Sequence, residues 1–175
     1  MKHIKGYSFQ GLYAITDAAF KGSGLANQVA QAIAGGARVI QYRDKTDDST
    51  ARHAEASEVL AVCRASGVPL LINDDPTLAA AIGADGVHLG KDDARLTEAR
   101  EQLGHAAIIG VSCYNRLELA QQAIAQGADY VAFGRFFNSH SKPTAIQADP
   151  ELLHTARHSL SCPIVPELFC GYNGF

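Results

Sequence analysis

No run of lysine or arginine occurs in these 175 residues, and the formal net charge is −3. Broad electrostatic capture of nucleic acid is thereby excluded, so any anion binding must come from individually placed cations. No apolar window is long enough to cross a bilayer, and Met1-Lys2-His3-Ile4-Lys5-Gly6 lacks the apolar core of a secretory leader. Cys63, Cys113, Cys162 and Cys170 show no Cys-x-x-Cys and no paired spacing. A disulfide framework is excluded, and a cytoplasmic setting with reduced thiols is expected. Nor is there a linker or low-complexity tract, so one domain over 1–175 is expected. The histidines form no metal set: His88 sits in a buried run and reads as a satisfied core residue, while His154 and His158 read as surface. No nucleophile–base pair for acyl transfer stands out.

What the chain does have is a repeated change of character. Three apolar runs end in polar bursts: Val39-Ile40-Gln41-Tyr42-Arg43-Asp44-Lys45, Leu70-Leu71-Ile72-Asn73-Asp74-Asp75 and Gly86-Val87-His88-Leu89-Gly90-Lys91-Asp92-Asp93. Helical periodicity follows each, so each burst marks a strand giving way to a helix. A second phrase recurs as Gly36-Ala37-Arg38-Val39-Ile40, Gly83-Ala84-Asp85-Gly86-Val87 and Gly127-Ala128-Asp129-Tyr130-Val131, with a glycine suited to closing a helix in the left-handed region. The pattern predicts strands near 11–16, 39–45, 69–73, 86–89, 108–112, 130–136 and 163–168. Helices are predicted near 24–34, 50–66, 76–82, 94–103, 116–126 and 149–160. Short apolar strands alternating with helices imply an α/β fold, a TIM-type (β/α) barrel with about seven parallel strands.

The ending departs from that pattern. Pro166 falls inside the seventh strand, where it removes a ladder hydrogen bond, and the last βα elements of an eight-fold barrel are missing. The barrel is expected to be incomplete, with unpaired first and last strands that favour a homo-oligomer or a swapped segment.

Strand exits of parallel α/β folds lie on one side of the sheet, where active sites are built. Residues two apart on a strand share a face, so Gln41, Arg43 and Lys45 are expected on one face and Tyr42 and Asp44 on the other. An amide and two cations in a row suit a pyrophosphate; the bland alternative pairs Arg43 and Lys45 with Asp44 or Asp47. Asp75 reads as a helix cap before Pro76, leaving Asn73 and Asp74 free to enter the mouth. Asp93 can meet Asp74 across it, and two carboxylates with phosphate and water make a Mg²⁺ shell. Asp92 is then assigned to the next helix cap. Ser112 closes the fifth strand, and Ser139, Ser141 and Lys142 lie in a polar loop after the sixth, a composition that cradles phosphate or is plain surface.

Five stretches together are specific: Gly11-Leu12-Tyr13-Ala14-Ile15-Thr16-Asp17, Gln41-Tyr42-Arg43-Asp44-Lys45, Ile72-Asn73-Asp74-Asp75, His88-Leu89-Gly90-Lys91-Asp92-Asp93 and Gly110-Val111-Ser112. In this order and spacing the chain closely resembles the thiamine phosphate synthase family, from its start to about Pro163. The resemblance implies a transferase with small-molecule substrates, joining 4-amino-2-methyl-5-hydroxymethylpyrimidine diphosphate to a thiazole phosphate and releasing pyrophosphate. It implies that Gln41, Arg43, Lys45, Asn73 and Lys142 hold the diphosphate and pyrimidine, and that Arg43, Lys45 and Lys142 assist departure of the diphosphate. It further implies that Asp74 and Asp93 hold Mg²⁺, and that Ser112 meets the pyrimidine. Ser139 and Ser141 stand where the family's loop has threonines meeting the thiazole phosphate. The family's Gly-Gly turn after the seventh strand is replaced by Pro166-Glu167-Leu168, so residues 164–175 form an atypical tail.

Four readings follow: an active synthase, a relative that binds the pyrimidine diphosphate and Mg²⁺ but turns over poorly or not at all, a thiazole tautomerase, and a sugar-phosphate isomerase. The tautomerase resembles an acid–base enzyme with a histidine after the fifth strand. Here Cys113-Tyr114-Asn115 stands there instead.

Overall fold

A computed structural model describes residues 3–16, 24–90, 93–134, 136 and 148–167, and the backbone alone of Asp93 and Ala94. Two short strands, β1 (His3–Ile4) and β2 (Tyr7–Ser8), form an antiparallel hairpin that precedes everything read from the sequence. Its turn residues Lys5 and Gly6 both have positive φ, 51° and 93°, the geometry that two-residue hairpins require. Seven parallel strands follow in sequential order: β3 (Leu12–Ile15), β4 (Ala37–Tyr42), β5 (Leu70–Asn73), β6 (Gly86–Leu89), β7 (Ile108–Ser112), β8 (Tyr130–Phe133) and β9 (Ile164–Pro166). Between them run α1 (Gly24–Ala34), α2 (Ser49–Ser66), α3 (Pro76–Ile82), α4 (Asp93–Leu103), α5 (Leu117–Ala125) and α6 (Pro150–Ser159). The sheet is a nearly closed barrel: each strand pairs with its sequence neighbours, and β3 and β9 each have one partner.

The strand sequences build two cores because side chains alternate. Ile40, Tyr42, Leu70, Ile72, Val87, Leu89, Ile109, Val111, Val131 and Phe133 face outward and pack beneath the helices. Val39, Leu71, Ile108 and Tyr130 face inward, and Ile4 of the hairpin closes the base of that inner cluster. The hairpin is pinned there by Lys5, whose Nζ donates to the His105 carbonyl at 2.6 Å and lies 3.6 Å from Asp129, and by Tyr7, which donates to Asp85 at 2.8 Å. By the same parity Gln41, Asn73, His88 and Ser112 face inward one step further along their strands. The site is therefore the upper layer of the same interior whose lower layer is apolar.

Helix boundaries follow their caps. Asp48 accepts from Ala51 N and starts α2, Asp75 accepts from Leu78 N ahead of Pro76, and Asp149 accepts from Glu151 N ahead of Pro150. Gly83 ends α3 at φ 72°, with its N–H on the Ala79 and Ala80 carbonyls.

Three expectations need correction or qualification. The strand expected over 39–45 stops at Tyr42, because the β3 ladder ends at Ile15↔Gln41 and beyond it the Thr16 hydroxyl receives the Arg43 N–H at 2.8 Å. Arg43 and Lys45 therefore leave the strand, and their side chains are not fixed by strand alternation. Asp44 folds the exit into a turn, accepting from Thr46 N and Thr46 Oγ1, both at 2.9 Å. Pro166 is not inside a central strand: it is the last residue of β9, a strand with one partner, where a missing N–H is tolerated. The next N–H, of Glu167, resumes the bonding to Phe133 O at 2.7 Å.

Candidate active site

At the strand exits a string of polar side chains crosses the barrel interior. Tyr13 OH donates to Gln41 Oε1 at 2.8 Å, and Gln41 Nε2 donates to Asn73 Oδ1 at 2.6 Å. Asn73 Nδ2 then donates to Asp74 Oδ2 at 2.9 Å. In the other direction Tyr13 OH lies 2.8 Å from Tyr130 OH, which lies 2.8 Å from His88 Nδ1. His88 Nε2 is 2.8 Å from Ser112 Oγ, and that oxygen is 3.2 Å from Glu167 Oε1. The string thus begins and ends at a carboxylate, with Gln41 and His88 buried along it.

Asp74 is held in an unusual backbone state. Its φ is +57°, in the left-handed region that a non-glycine residue rarely occupies and that Asp tolerates better than most. Its N–H donates to His88 O at 2.9 Å, and its Oδ1 accepts from Gly90 N at 3.0 Å, which ties the β5 exit to the β6 exit. Arg95, in the first turn of α4, donates to the Asp74 carbonyl at 3.0 Å and lies 3.8 Å from Oδ1. The head of α4, where Asp93 stands, therefore abuts Asp74. The Asp74 side chain remains 45% exposed, so its carboxylate is open to a ligand from the mouth.

Of the residues singled out in the sequence, Gln41, Asn73, Asp74 and Ser112 are joined by this string, and Arg43 and Lys45 sit past the β4 exit, half-buried and exposed respectively. Ser139, Ser141, Lys142 and Asp92 lie outside the described residues, as does the Asp93 side chain. His88 is satisfied at both ring nitrogens, as its place in a buried run implied. Tyr13, Tyr130, Arg95 and Glu167 were not foreseen. For the tyrosines a signal was present: Tyr13 is two residues from Ile15 on β3, and Tyr130 opens a strand whose parity points it inward. Tyr130 fills the barrel so fully that a Cβ on Gly110 would meet its Cζ at 1.9 Å.

Burial sets the chemistry of the string. Tyr13 and Tyr130 are pushed up, mainly by desolvation, so both stay as neutral phenols. Burial also pushes His88 down to about 4. An unfolded chain takes up this proton near pH 6.5, the folded one only near 4, so the neutral ring stabilises the fold above 6.5 and that contribution is lost as pH falls towards 4. The full contribution is on the order of 3 kcal/mol. Denaturant unfolding of the wild type and His88→Gln should show the wild type losing stability faster across this window, by up to about 1.4 kcal/mol per pH unit. Parallel pH curves would contradict the assignment.

Comparison with known proteins decides the family. The thiamine monophosphate synthase family profile matches residues 12–166. The chain belongs to that family. A thiamine-phosphate synthase from Thiobacillus denitrificans is 51% identical over 155 residues, covering 89% of this chain and 74% of that protein. One from Nitrosococcus oceani is 53% identical over 159 residues, covering 90% and 73%. Among solved structures, thiamine phosphate pyrophosphorylase from Pyrococcus furiosus superposes with a TM-score of 0.77 at 30% identity, covering 88% of this chain and 72% of that one. A 3-dehydroquinate dehydratase from Geobacillus kaustophilus, at 15% identity and a TM-score of 0.69, shares the barrel fold alone. The thiamine monophosphate synthase family is a family of transferases.

Proposed function

We propose that this chain makes thiamine phosphate, condensing 4-amino-2-methyl-5-hydroxymethylpyrimidine diphosphate with a thiazole phosphate and releasing pyrophosphate. The observation that carries the reading is the junction at Asp74, where a half-open carboxylate meets the Gln41–Asn73 amide pair and the head of α4. Gln41 and Asn73 orient the pyrimidine diphosphate. Arg43 and Lys45 at the β4 exit, with Lys142, neutralise the diphosphate as it leaves. Ser112 meets the pyrimidine, and Ser139 and Ser141 meet the thiazole phosphate. The substrates are small molecules and the setting cytoplasmic, in one barrel domain; no helix among the described residues is long and apolar enough to cross a membrane.

The family implies Mg²⁺, and the donor set supports it. Asp74 offers hard carboxylate oxygens that, among the described residues, each accept a single hydrogen bond, with Arg95 3.8 Å from Oδ1, so lone pairs remain for a cation. Among the described residues no group of three or more His, Cys, Asp or Glu could enclose a metal alone. That suits Mg²⁺, which is held by one or two carboxylates with substrate phosphate and water completing its shell. Asp74 and Asp93 are the residues proposed to hold it. When bound, the ion would offset negative charge building on the leaving pyrophosphate. The residues around it supply cations, with the Gln41 and Asn73 amides held in place by their own hydrogen bonds, which is electrostatic catalysis of the kind that contributes most. Departure of the diphosphate leaves a pyrimidine methylene cation, and the thiazole nitrogen attacks it without a general base.

A tautomerase would need an acid–base group after β7. Cys113 stands there, buried, with its thiol pushed up to about 12 by desolvation, and cannot serve at neutral pH.

Calorimetry with the pyrimidine diphosphate, with and without Mg²⁺, tests the site, and a thiamine phosphate assay tests turnover. Mg²⁺-dependent binding with product formation is expected. Binding without product would favour the relative that only binds its ligand, and no Mg²⁺-dependent binding would remove the diphosphate site altogether.

A further inference from the structure

Among the described residues, Arg95 is the cation placed against Asp74, and it grips that residue unequally. Its Nη2 donates to the Asp74 backbone carbonyl at 3.0 Å. Its Nη1 lies 3.8 Å from Asp74 Oδ1, too far for a hydrogen bond but close enough for charge to act. The guanidinium is therefore anchored by the main chain and leaves the carboxylate open. Of its five N–H donors the described contacts occupy one, and the side chain is 44% exposed.

Arg95 follows Asp93 by two residues in the first turn of α4. Asp74 Oδ1 also accepts from Gly90 N at 3.0 Å, so the β5 exit, the β6 exit and the head of α4 meet around one carboxylate oxygen. A divalent cation held by Asp74 would share that carboxylate with the guanidinium, and two cations on one anion repel. A diphosphate alters the balance. Its oxygens give the spare N–H donors of Arg95 a partner of matching geometry, because the planar fork fits phosphate. The same positive charge thus opposes a metal in the empty mouth and favours the metal and diphosphate together.

We propose that Arg95 couples the two halves of the site, making metal binding at Asp74 conditional on the diphosphate. The proposal rests on the reading of Asp74 as a Mg²⁺ ligand. In the free protein Arg95 lowers the affinity of Asp74 for a divalent cation. With a diphosphate in the mouth, its open donors face the anion and strengthen the complex. Coupling of binding free energies is reciprocal, so Arg95 raises the dependence of each ligand on the other.

Removing the charge tests this through two binding constants that must move in opposite directions. Arg95→Gln should bind Mn²⁺ alone more tightly than the wild type, by about three-fold or more, read from the EPR signal of the free ion. The same variant should bind pyrophosphate in excess Mg²⁺ more weakly, by about five-fold or more, read by calorimetry. Arg95→Lys keeps the charge and should lie nearer the wild type in both. Arg95→Met is carried alongside, so a folding failure of one neutral variant leaves the comparison intact. A purely structural role would move both constants the same way or neither. Mn²⁺ bound no more tightly by R95Q, or pyrophosphate bound no more weakly, would overturn the proposal. Asp74→Asn keeps the two readings apart. If it leaves Mn²⁺ binding unchanged in both the wild type and R95Q, Asp74 is not the metal ligand and the underlying reading fails. An Asp74-dependent affinity that R95Q does not raise sinks the coupling alone.

Discussion

Asp74→Asn should reduce Mg²⁺-dependent turnover by about 10²–10³-fold while leaving the fold intact. Two features argue for so selective an effect. The side chain is 45% exposed and lies outside the buried core, so the barrel core does not depend on its charge. Asparagine also tolerates the left-handed backbone found at this position, φ +57°, and its amide oxygen can still accept from Gly90 N. What the variant loses is an anionic oxygen for a hard cation. Steady-state kinetics over a range of Mg²⁺, with a denaturation curve on the same preparation, checks both halves. Wild-type turnover in D74N would remove Asp74 from the metal site, and a collapsed denaturation midpoint would show that the residue is structural.

Gly86→Ala should destabilise the protein by roughly 3 kcal/mol or more, enough to unfold a marginal domain. Gly86 opens β6 and pairs with Ile108 of β7. A Cβ there would lie 1.8 Å from the Ile108 carbonyl oxygen and 2.7 Å from its nitrogen. Both are backbone atoms held in the ladder, so no side chain can turn aside to relieve the overlap, and the strands must separate. Gly24→Ala is the matched control: nothing among the described residues lies within 4 Å of a Cβ there, and alanine suits a helix. Denaturant unfolding of both variants should show a large loss for the first and little change for the second. A G86A midpoint close to wild type would contradict the β6–β7 register.

The barrel was legible because its signals are local and repeated. Alternating apolar strands, Asp-Pro caps at 75–76 and 149–150, and the recurring Gly-Ala phrase all act within a few residues. The hairpin of β1 and β2 escaped notice since two-residue strands carry no periodicity; only the base of the finished barrel shows what Ile4 covers. The end of β4 was misjudged for a related reason. Arg43 and Lys45 continue the alternation on paper, but a strand lasts only as long as its neighbours do, and Thr16 ends β3.

The site was legible in part. Gln41 followed from strand parity, Asn73 and Asp74 from their place before the capping Asp75, and Ser112 from closing a strand. The string that links them through Tyr13, Tyr130 and His88 could not be read, because every link but Asn73–Asp74 joins residues far apart in sequence, up to 117 positions between Tyr13 and Tyr130. Glu167 looked like a fault in the last strand. Its meaning depends on Ser112, 55 positions away.

The measurement that reaches the centre of this account is the anomalous signal of Mn²⁺, used in place of Mg²⁺, in crystals grown with pyrophosphate. A peak within coordination distance of an Asp74 carboxylate oxygen, at the head of α4 and beside the pyrophosphate, is the result expected. A well-ordered ion and pyrophosphate bound away from Asp74 would contradict it.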